Sequence, residues 1–367
     1  MPGLWEMLND TMSDSPVPIV DYGLFLHGDD EDKRKLAAQV DDAFRTVGFV
    51  CLVNHGIEQA KVDECFEWSK KFFALPVEAK LLAPHPPSGS HHRGYSGISQ
   101  EKVIQNVVDA EGIAAERTIP DIKESYESGN VNDERQPNIW LPEETLPGFR
   151  GFMEAFFEDC ASLIYSILHA LSLSLNLPPS IGLPSTHSRS LFQLRLLHYP
   201  SIPLRSLQHK EETRISPHTD YGTLTLLFQD AVGGLEVEVL EDDGNGGRTG
   251  TGVFKGVPHV EGGVLLNLGD LMMRWTNDRW RSTVHQVGAP PTAPRNALSN
   301  ADGVVEGEGE DSKVICPPRY SIPFFATPDP DVLIECLPGC WGPGNPKKYE
   351  SVTAWEYVKT RLEAAYL

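Results

Sequence analysis

The 367-residue sequence has few basic residues and no dense run of them. It contains 31 lysines and arginines against 52 aspartates and glutamates, which gives a formal net charge of −21. A chain this acidic repels phosphate backbones and anionic lipid surfaces. We therefore expect no nucleic-acid partner, and small-molecule chemistry is the better hypothesis.

Three further absences narrow the class of protein. The six cysteines form no CxxC pair, which argues against a disulfide framework or a zinc ribbon. The sequence has no run of about 18 apolar residues that would favour a membrane span. Its acidic start, MPGLWEMLNDTMSDSP, lacks the basic and apolar segments of a signal peptide. These features predict a cytoplasmic protein without a membrane partner.

The pattern of apolar residues changes once along the chain. Apolar residues recur at helical spacing over 33–47 and 148–175, and a buried strand is predicted at 48–53. After residue 190 the pattern becomes one of short strands separated by glycine, proline and acidic turns. A mainly helical first half followed by a β-rich core is therefore expected.

The change from helical spacing to short strands does not indicate a domain boundary. We interpret residues 1–367 as a single domain with three parts: a mainly helical part (1–190), a β-rich core (191–330) and a C-terminal helical segment (331–367). Two polar, glycine-rich segments, 241–252 and 295–312, are predicted to be surface loops whose order the sequence does not reveal.

One short segment carries the residue types of a metal site. In Pro217-His218-Thr219-Asp220, positions i and i+2 of a strand would point the same way, so His218 and Asp220 can bind one ion together. His285, in a later predicted strand, supplies a third ligand. Two imidazoles and one carboxylate leave coordination positions open, as in non-haem iron(II) oxygenases. An HxD pair alone is weak evidence, because most of the 12 histidines should be structural or exposed.

The next predicted strand adds an anion-binding pair. Strand alternation places Arg319 and Ser321 on the same face. Arginine offers two parallel donors to a carboxylate and serine adds one more, so one end of a dicarboxylate can be anchored while the other chelates the metal. A surface salt bridge would explain an isolated Arg-x-Ser pair, but its position after His285 favours the binding role.

Over nearly its whole length the sequence resembles the 2-oxoglutarate and iron(II)-dependent dioxygenases of the isopenicillin N synthase-like family. Similar blocks occur in the expected order, among them VGFVCLVNHGI, RGYSG, HTDYGTLTLLFQD, NLGDLMMRWTND, STVHQV and PPRYSIPFF. The closest resemblance is to fungal enzymes of the thymine hydroxylase type, which share the LRLLHYP, HTDYG and RYSI forms. The resemblance implies a mixed α and β fold with a double-stranded β-helix, or jelly-roll, core flanked by helices.

The resemblance also implies an iron(II) centre and a cosubstrate site. It implies that His218, Asp220 and His285 are the catalytic iron ligands. It also implies that Arg319, Ser321 and Tyr199 contact 2-oxoglutarate. Dioxygen is the third implied reactant. Leu197 occupies a position where many plant relatives have asparagine, so one polar contact to the metal-chelating end of 2-oxoglutarate is expected to be missing.

The substrate contacts implied by the resemblance are Arg195, Tyr221 and Phe325, which match positions where thymine hydroxylase-type enzymes approach a flat ring. Two aromatic planes and a guanidinium suit a planar molecule that carries carbonyl oxygens. The alternative is that Tyr221 and Phe325 are ordinary packing residues of the barrel. An aryl methyl or another polyketide carbon is as good a candidate target as a pyrimidine.

The implied activity is oxidation of a C–H bond, by default hydroxylation, in a small planar or aromatic molecule, with formation of succinate and carbon dioxide. The ligand set does not distinguish hydroxylation from desaturation, cyclisation or ring expansion in secondary metabolism. A relative that oxidises without 2-oxoglutarate and a non-catalytic relative that binds small molecules also remain open. The oligomeric state is unknown from the sequence.

Overall fold

The computed structural model describes residues 15–87, 91–101, 119–209, 211–242, 244, 247–291 and 314–366. The predicted loop at 295–312 lies outside these residues. The α-helices within them are α1 (Gly23–His27), α2 (Asp30–Thr46), α3 (Gln59–Phe73), α4 (Val77–Lys80), α5 (Phe149–Ser174), α6 (Leu204–Gln208), α7 (Asp270–Trp275) and α8 (Ala354–Tyr366). Short 3-10 helices cover Pro179–Ile181 and Leu183–His187.

The strands form two main β-sheets that face each other. They are β1 (Ile19–Asp21), β2 (Phe49–Val53), β3 (Gly94–Ser96), β4 (Glu124–Gly129), β5 (Gln193–Tyr199), β6 (Ile202–Pro203), β7 (Ile215–His218), β8 (Leu224–Gln229), β9 (Leu235–Asp242), β10 (Arg248–Gly256), β11 (Gly263–Leu268), β12 (His285–Val287), β13 (Ile315–Cys316), β14 (Arg319–Ala326), β15 (Leu333–Ile334) and β16 (Val352–Thr353). The larger sheet has the order β1-β2-β11-β8-β14-β5-β4-β3, and the smaller has the order β10-β9-β12-β7. The predicted jelly-roll core flanked by helices is confirmed.

Alternation along the strands of the larger sheet separates a helix-facing side from an inner side. Phe228 of β8 and Phe324 of β14 pack against Phe156 and Phe157 of α5, with ring centroids 5.6 and 5.1 Å apart. The opposite side packs against the smaller sheet, where Leu197 shares a buried apolar cluster with residues of β7, β9 and β12. The inner side is therefore the one that can hold a ligand between the sheets.

Helix α5 owes its stability to burial along most of its length. It has no proline, and twelve of its residues are buried, among them Met153, Ile164 and Leu168. By length and composition alone, α5 is apolar enough to span a membrane. However, 56% of its most apolar 18-residue stretch is buried inside the protein. That burial is typical of the core helix of a globular fold.

The first 190 residues contribute more strands than their apolar pattern predicts. β2 pairs with β11, and β4 pairs with β5, so both lie within the larger sheet. β4 has the polar sequence ESYESG, yet all six residues are buried. Its glutamates are buried because they form ion pairs with Lys80 and Arg195. A hydrophobic pattern does not detect burial of this kind, so the strand was not predicted.

The prediction of a surface loop at 241–252 is wrong for most of that segment. β9 continues to Asp242, and β10 returns from Arg248 in antiparallel register, so the two strands form a hairpin. Residues of β10 are largely exposed, which explains their polar and glycine-rich composition. A polar sequence can form a strand where only one side of the hairpin needs to be covered.

Gly48, between α2 and β2, couples the fold to the segment before His285. Its φ is +79°, and a Cβ there would lie 2.3 Å from Thr283 Oγ1 and 2.7 Å from the Arg281 carbonyl oxygen.

We expect Gly48→Ala to lower the free energy of unfolding by at least about 2 kcal/mol, because left-handed strain adds to the clash. Gly151, a helical glycine where an added Cβ would meet no atom within 4 Å, is the matched control. Gly151→Ala should raise stability by about 0.5–1 kcal/mol in urea denaturation; similar effects of the two changes would contradict this account.

Candidate metal centre

A cavity of about 190 Å³ lies between the two sheets. All nine residues singled out from the sequence line it: Arg195, Tyr199, His218, Asp220, Tyr221, His285, Arg319, Ser321 and Phe325. Trp355 and Val358 of α8 also contribute to its wall. The cavity is therefore where the chemistry of these residues can meet.

Strand pairing brings the two histidines of the candidate centre together. β7 ends at His218 and β12 begins at His285, and the antiparallel register places these residues opposite each other. Their ring centroids are 4.3 Å apart. Strand alternation predicted that Asp220 would lie on the same strand as His218. In the structure it lies in the loop after β7 instead. The loop nevertheless brings ligand atoms of His218, Asp220 and His285 within 4.8 Å of one another.

Backbone carbonyls orient both imidazole rings. Nδ1 of His218 donates to the Ser216 carbonyl at 2.8 Å, and Nδ1 of His285 donates to the Thr283 carbonyl at 3.1 Å. Because Nδ1 carries the proton, each Nε2 keeps a lone pair for a metal. Burial, reinforced by the neighbouring His285, lowers the pKa of His218 to about 4. The ring is thus neutral at neutral pH, as metal binding requires.

Among the described residues, Asp220 accepts side-chain hydrogen bonds through Oδ2 alone. Oδ2 accepts hydrogen bonds from Thr225 Oγ1 at 2.5 Å and from Asn267 Nδ2 at 2.6 Å. Oδ1 lies 3.9 Å from Nε2 of His285 and completes the ligand set. Burial acts to raise the pKa of Asp220, but the two imidazoles and the two hydrogen bonds outweigh it and lower the pKa. Two nitrogens and one carboxylate oxygen with an open side fit iron(II).

At one end of the cavity, β14 presents a buried guanidinium. Arg319 is 1% exposed; its Nη1 donates to Ser321 Oγ at 3.1 Å, and its Nη2 donates to Gln229 Oε1 at 3.2 Å. The guanidinium carbon lies 5.1 Å from the ring centroid of Tyr199. Within the described part of the chain, no carboxylate pairs with Arg319, and its Nε has no hydrogen-bond partner. A buried, uncompensated cation of this kind fits a ligand carboxylate.

The other end of the cavity carries charges that compensate one another. Arg195 donates to both carboxylate oxygens of Glu101, at 3.0 and 3.2 Å, and also pairs with Glu127. Glu101 in turn pairs with Lys123. Burial acts to raise the pKa of Glu101, but the attraction of Arg195 and Lys123 outweighs it and lowers the pKa. Arg195 is therefore a paired group in the wall.

The aromatic residues predicted to contact substrate lie beside these charges. The guanidinium carbon of Arg195 is 5.8 Å from the ring centroid of Phe325, and that of Arg361 is 4.6 Å from the ring of Tyr221. Arg135 and Trp355 also line the cavity, with the Arg135 guanidinium carbon 4.2 Å from the centroid of the Trp355 ring. The C-terminal helix thus contributes to the cavity wall and contacts Tyr221 through Arg361.

Several residues of the site carry no sequence signal that identifies their role. Thr225, Gln229 and Asn267 lie in blocks similar to the known family, LTLLFQD and NLGD, but their side chains look like ordinary strand residues. Glu101 is 94 positions from Arg195, and no local pattern joins them. Only the three-dimensional contacts show what these residues do.

Comparison with known proteins identifies relatives along the whole chain. The model of the 2OG-Fe(II) oxygenase superfamily matches residues 191–328, and that of the non-haem dioxygenase in morphine synthesis N-terminal region matches residues 17–143. A 2-oxoglutarate-dependent dioxygenase, frbA, of Dothideomycetidae sp. is 38% identical over 95% of this chain and 97% of its own. A proline hydroxylase, buaE, of Petromyces alliaceus is 39% identical over 95% and 98% of the two chains.

Solved structures of a Neurospora crassa protein have the same fold. Its crystal structure in complex with alpha-KG is 34% identical, with a TM-score of 0.79 over 96% of this chain and 97% of that one. The complex of the same protein with alpha-KG and thymine gives the same TM-score at 33% identity over 96% and 98% of the two chains. These similarities span both halves of the chain, including the segments that build the cavity.

The hydrogen bond from Thr225 to Asp220 offers a test of the metal centre. Thr225→Val keeps the side-chain shape but removes one of the two donors to Oδ2, so we expect about tenfold weaker binding of manganese(II), used as an air-stable probe. The affinity can be measured by titration with detection of free manganese by electron paramagnetic resonance. Thr249→Val, on the exposed strand β10, is the control and should leave the affinity unchanged. Equal affinities in all three proteins would contradict the assigned role of Thr225.

Proposed function

The chain belongs to the 2OG-Fe(II) oxygenase superfamily, and from that premise we propose that it hydroxylates a small, planar or aromatic molecule of secondary metabolism. It is a non-haem iron(II) enzyme that uses 2-oxoglutarate as cosubstrate and dioxygen as oxidant. The observation that carries the finer proposal is one cavity that joins the metal-ligating triad, an uncompensated arginine and an aromatic wall.

We propose that His218, Asp220 and His285 hold the iron. When bound, iron(II) would supply the redox chemistry by which a substrate C–H bond becomes C–OH while 2-oxoglutarate loses carbon dioxide to give succinate, one oxygen atom of dioxygen entering each of the two products. The protein's part is positioning: carbonyls fix the two imidazoles, and Thr225 and Asn267 hold Asp220 so that Oδ1 faces the metal.

The cosubstrate site follows from the charge at the Arg319 end. Arg319 and Ser321 would hold the distal carboxylate of 2-oxoglutarate, with Tyr199 beside the guanidinium. Gln229 is a positioning residue, because its side-chain oxygen accepts from Nη2 and fixes the plane of the guanidinium. Leu197, buried in the cavity wall, offers no polar contact there.

The substrate side favours a small and uncharged ring. The whole cavity, which would also take the metal and 2-oxoglutarate, has a volume of about 190 Å³, below the usual range for drug-sized ligands of roughly 300–1,000 Å³, so the space left for a substrate is small. Phe325 and Tyr221 offer aromatic surface, while Arg195 is already paired with carboxylates, so the wall presents polar edges with little net charge. The Neurospora crassa complex with thymine shows that a relative accepts a molecule of this kind.

A saturated ring is the second candidate substrate. The proline hydroxylase of Petromyces alliaceus, at 39% identity, is named for the oxidation of such a ring. Both candidates share hydroxylation as the reaction, and they differ in whether Phe325 and Tyr221 stack on the substrate or only enclose it.

Substrate-triggered succinate formation tests the proposal. Purified protein with iron(II), ascorbate and 2-oxoglutarate is assayed against pyrimidines, aromatic polyketides, and proline and its derivatives. We expect a pyrimidine or small aromatic compound to raise succinate formation. His218→Ala should abolish that turnover without unfolding the protein, because His218 serves the metal rather than the core.

The control for that assay is His169→Ala, which removes an exposed histidine of α5 and should keep full activity. Turnover retained in His218→Ala would refute the iron assignment. Stimulation by proline derivatives alone would refute the planar substrate in favour of the saturated ring.

The role of Gln229 can be tested by changing one atom. Gln229→Glu places a carboxylate about where the amide lies, so that Arg319 is neutralised before the cosubstrate arrives. We expect the KM for 2-oxoglutarate to rise roughly tenfold or more, with little change in kcat at saturating 2-oxoglutarate. Gln229→Leu, which removes the contact but adds no charge, should raise the KM less. If the two variants have the same KM, the electrostatic explanation is wrong.

A further inference from the structure

Within the described residues, a second group of side chains of metal-ligating types shares no residue with the candidate iron centre, although one of its members, His92, lines the same cavity. Ligand atoms of His85, His92 and Glu127 all lie within 4.8 Å of one another. We propose that His85, His92 and Glu127 form a binding site for a second divalent metal ion of the zinc type, which prefers nitrogen and oxygen ligands in this combination.

The two imidazoles are arranged to meet at one point. Nδ1 of His85 lies 2.6 Å from the carbonyl oxygen of Pro86 and must donate to it, so the proton is on Nδ1 and Nε2 keeps its lone pair. The His85 and His92 rings are nearly perpendicular, at 89°, with centroids 5.4 Å apart. This is a T-shaped ring contact, and it leaves ligand nitrogens of both rings within 4.8 Å of each other and of a Glu127 carboxylate oxygen.

The spacing between His92 and Glu127 also fits a bridging ion. Nδ1 of His92 lies 3.5 Å from Oε2 of Glu127. A direct N–H···O hydrogen bond would normally be about 2.7–3.2 Å long. Two ligand atoms bound to one tetrahedral zinc at 2.0–2.2 Å are about 3.3–3.5 Å apart. The observed distance is that of a long hydrogen bond, and it also equals the separation expected for two ligand atoms on one zinc ion.

The backbone holds the three residues in place before any metal arrives. Glu127 of β4 pairs with Gly94 of β3, two residues after His92. The His85 amide donates to the Tyr95 carbonyl at 2.9 Å, which ties the loop of His85 to the same strand. Gly94, with φ +83°, permits this packing, because a Cβ there would lie 2.7 Å from the Ala83 carbonyl oxygen. Only Glu127 lies on a strand, while His85 and His92 lie in segments before β3, and the His85 amide contact ties its segment to that strand.

The charges around the cluster leave one carboxylate oxygen for a metal. Oε1 of Glu127 pairs with Arg195, while Oε2 is the oxygen that faces His92. Burial is the main cause that lowers the pKa of His85, so this ring is neutral at neutral pH. Burial acts to raise the pKa of Glu127, but the attraction of Arg195 outweighs it and keeps the carboxylate ionised. These are the protonation states that metal ligands need.

Zinc stoichiometry tests the proposal without relying on activity. Protein without an affinity tag is stripped with EDTA, dialysed against zinc chloride, desalted and analysed by inductively coupled plasma mass spectrometry. We expect two zinc ions per wild-type chain, because the iron centre also accepts zinc. His85→Gln and His218→Gln should each retain one. His91→Gln, which changes a histidine outside the cluster, is the matched control and should retain two.

The outcomes separate the second site from the first. One zinc per wild-type chain, lost in His218→Gln, would overturn the proposal and leave His92 and Glu127 as an ion pair. Two zinc ions retained in His85→Gln would also overturn it. Circular dichroism checks that each variant is folded, and Glu127→Gln repeats the test on a different ligand. In His218→Gln, cobalt(II) should give visible absorption bands that disappear when His85→Gln is added.

Discussion

The candidate metal centre depends on the register between β7 and β12. Strand pairing sets His218 opposite His285, and a slip of one residue would turn one imidazole to the other face of the sheet. The third ligand depends on a different constraint, since Asp220 lies beyond the strand. Its backbone carbonyl accepts from the Asp270 amide at 2.8 Å, and its side chain is held by Thr225 and Asn267. Both sheets and α7 must therefore be in place for three ligands to converge.

The two ends of the cavity differ in how the protein balances its own charge. Arg319 has no carboxylate partner among the described residues, so its buried charge is available to a ligand. Arg195 is compensated by Glu101 and Glu127 and contributes shape more than charge. This difference suits a reaction with one dianionic cosubstrate and one neutral substrate, and it explains why two arginines in the same cavity serve different purposes.

The sequence predicts the residues that line the site better than it predicts the residues that hold them in position. The structure brings His218, His285, Arg319 and Ser321 to one cavity as expected; Arg319 and Ser321 share a local strand spacing, whereas His285 was chosen from a distant predicted strand. The jelly-roll core followed from short strands and family resemblance. Asp220 was predicted as a ligand on the wrong geometric ground. Glu101 and Gln229 were missed because ion pairs and amide contacts between distant segments leave no periodic trace. The polar strands β4 and β10 were not predicted for a related reason. A hydrophobic pattern detects only strands that are buried against apolar neighbours.

The burial of Arg319 beneath an acidic exterior has a consequence for ionic strength. The chain carries a net charge of −21, which repels a dianion such as 2-oxoglutarate at long range, while the guanidinium attracts it only once it is inside. Dissolved salt screens exposed charges over about 8–10 Å at physiological concentration but reaches buried groups much less. If Arg319 holds the cosubstrate as proposed, salt should speed the approach of 2-oxoglutarate more than it weakens its binding, the reverse of what a basic surface would produce.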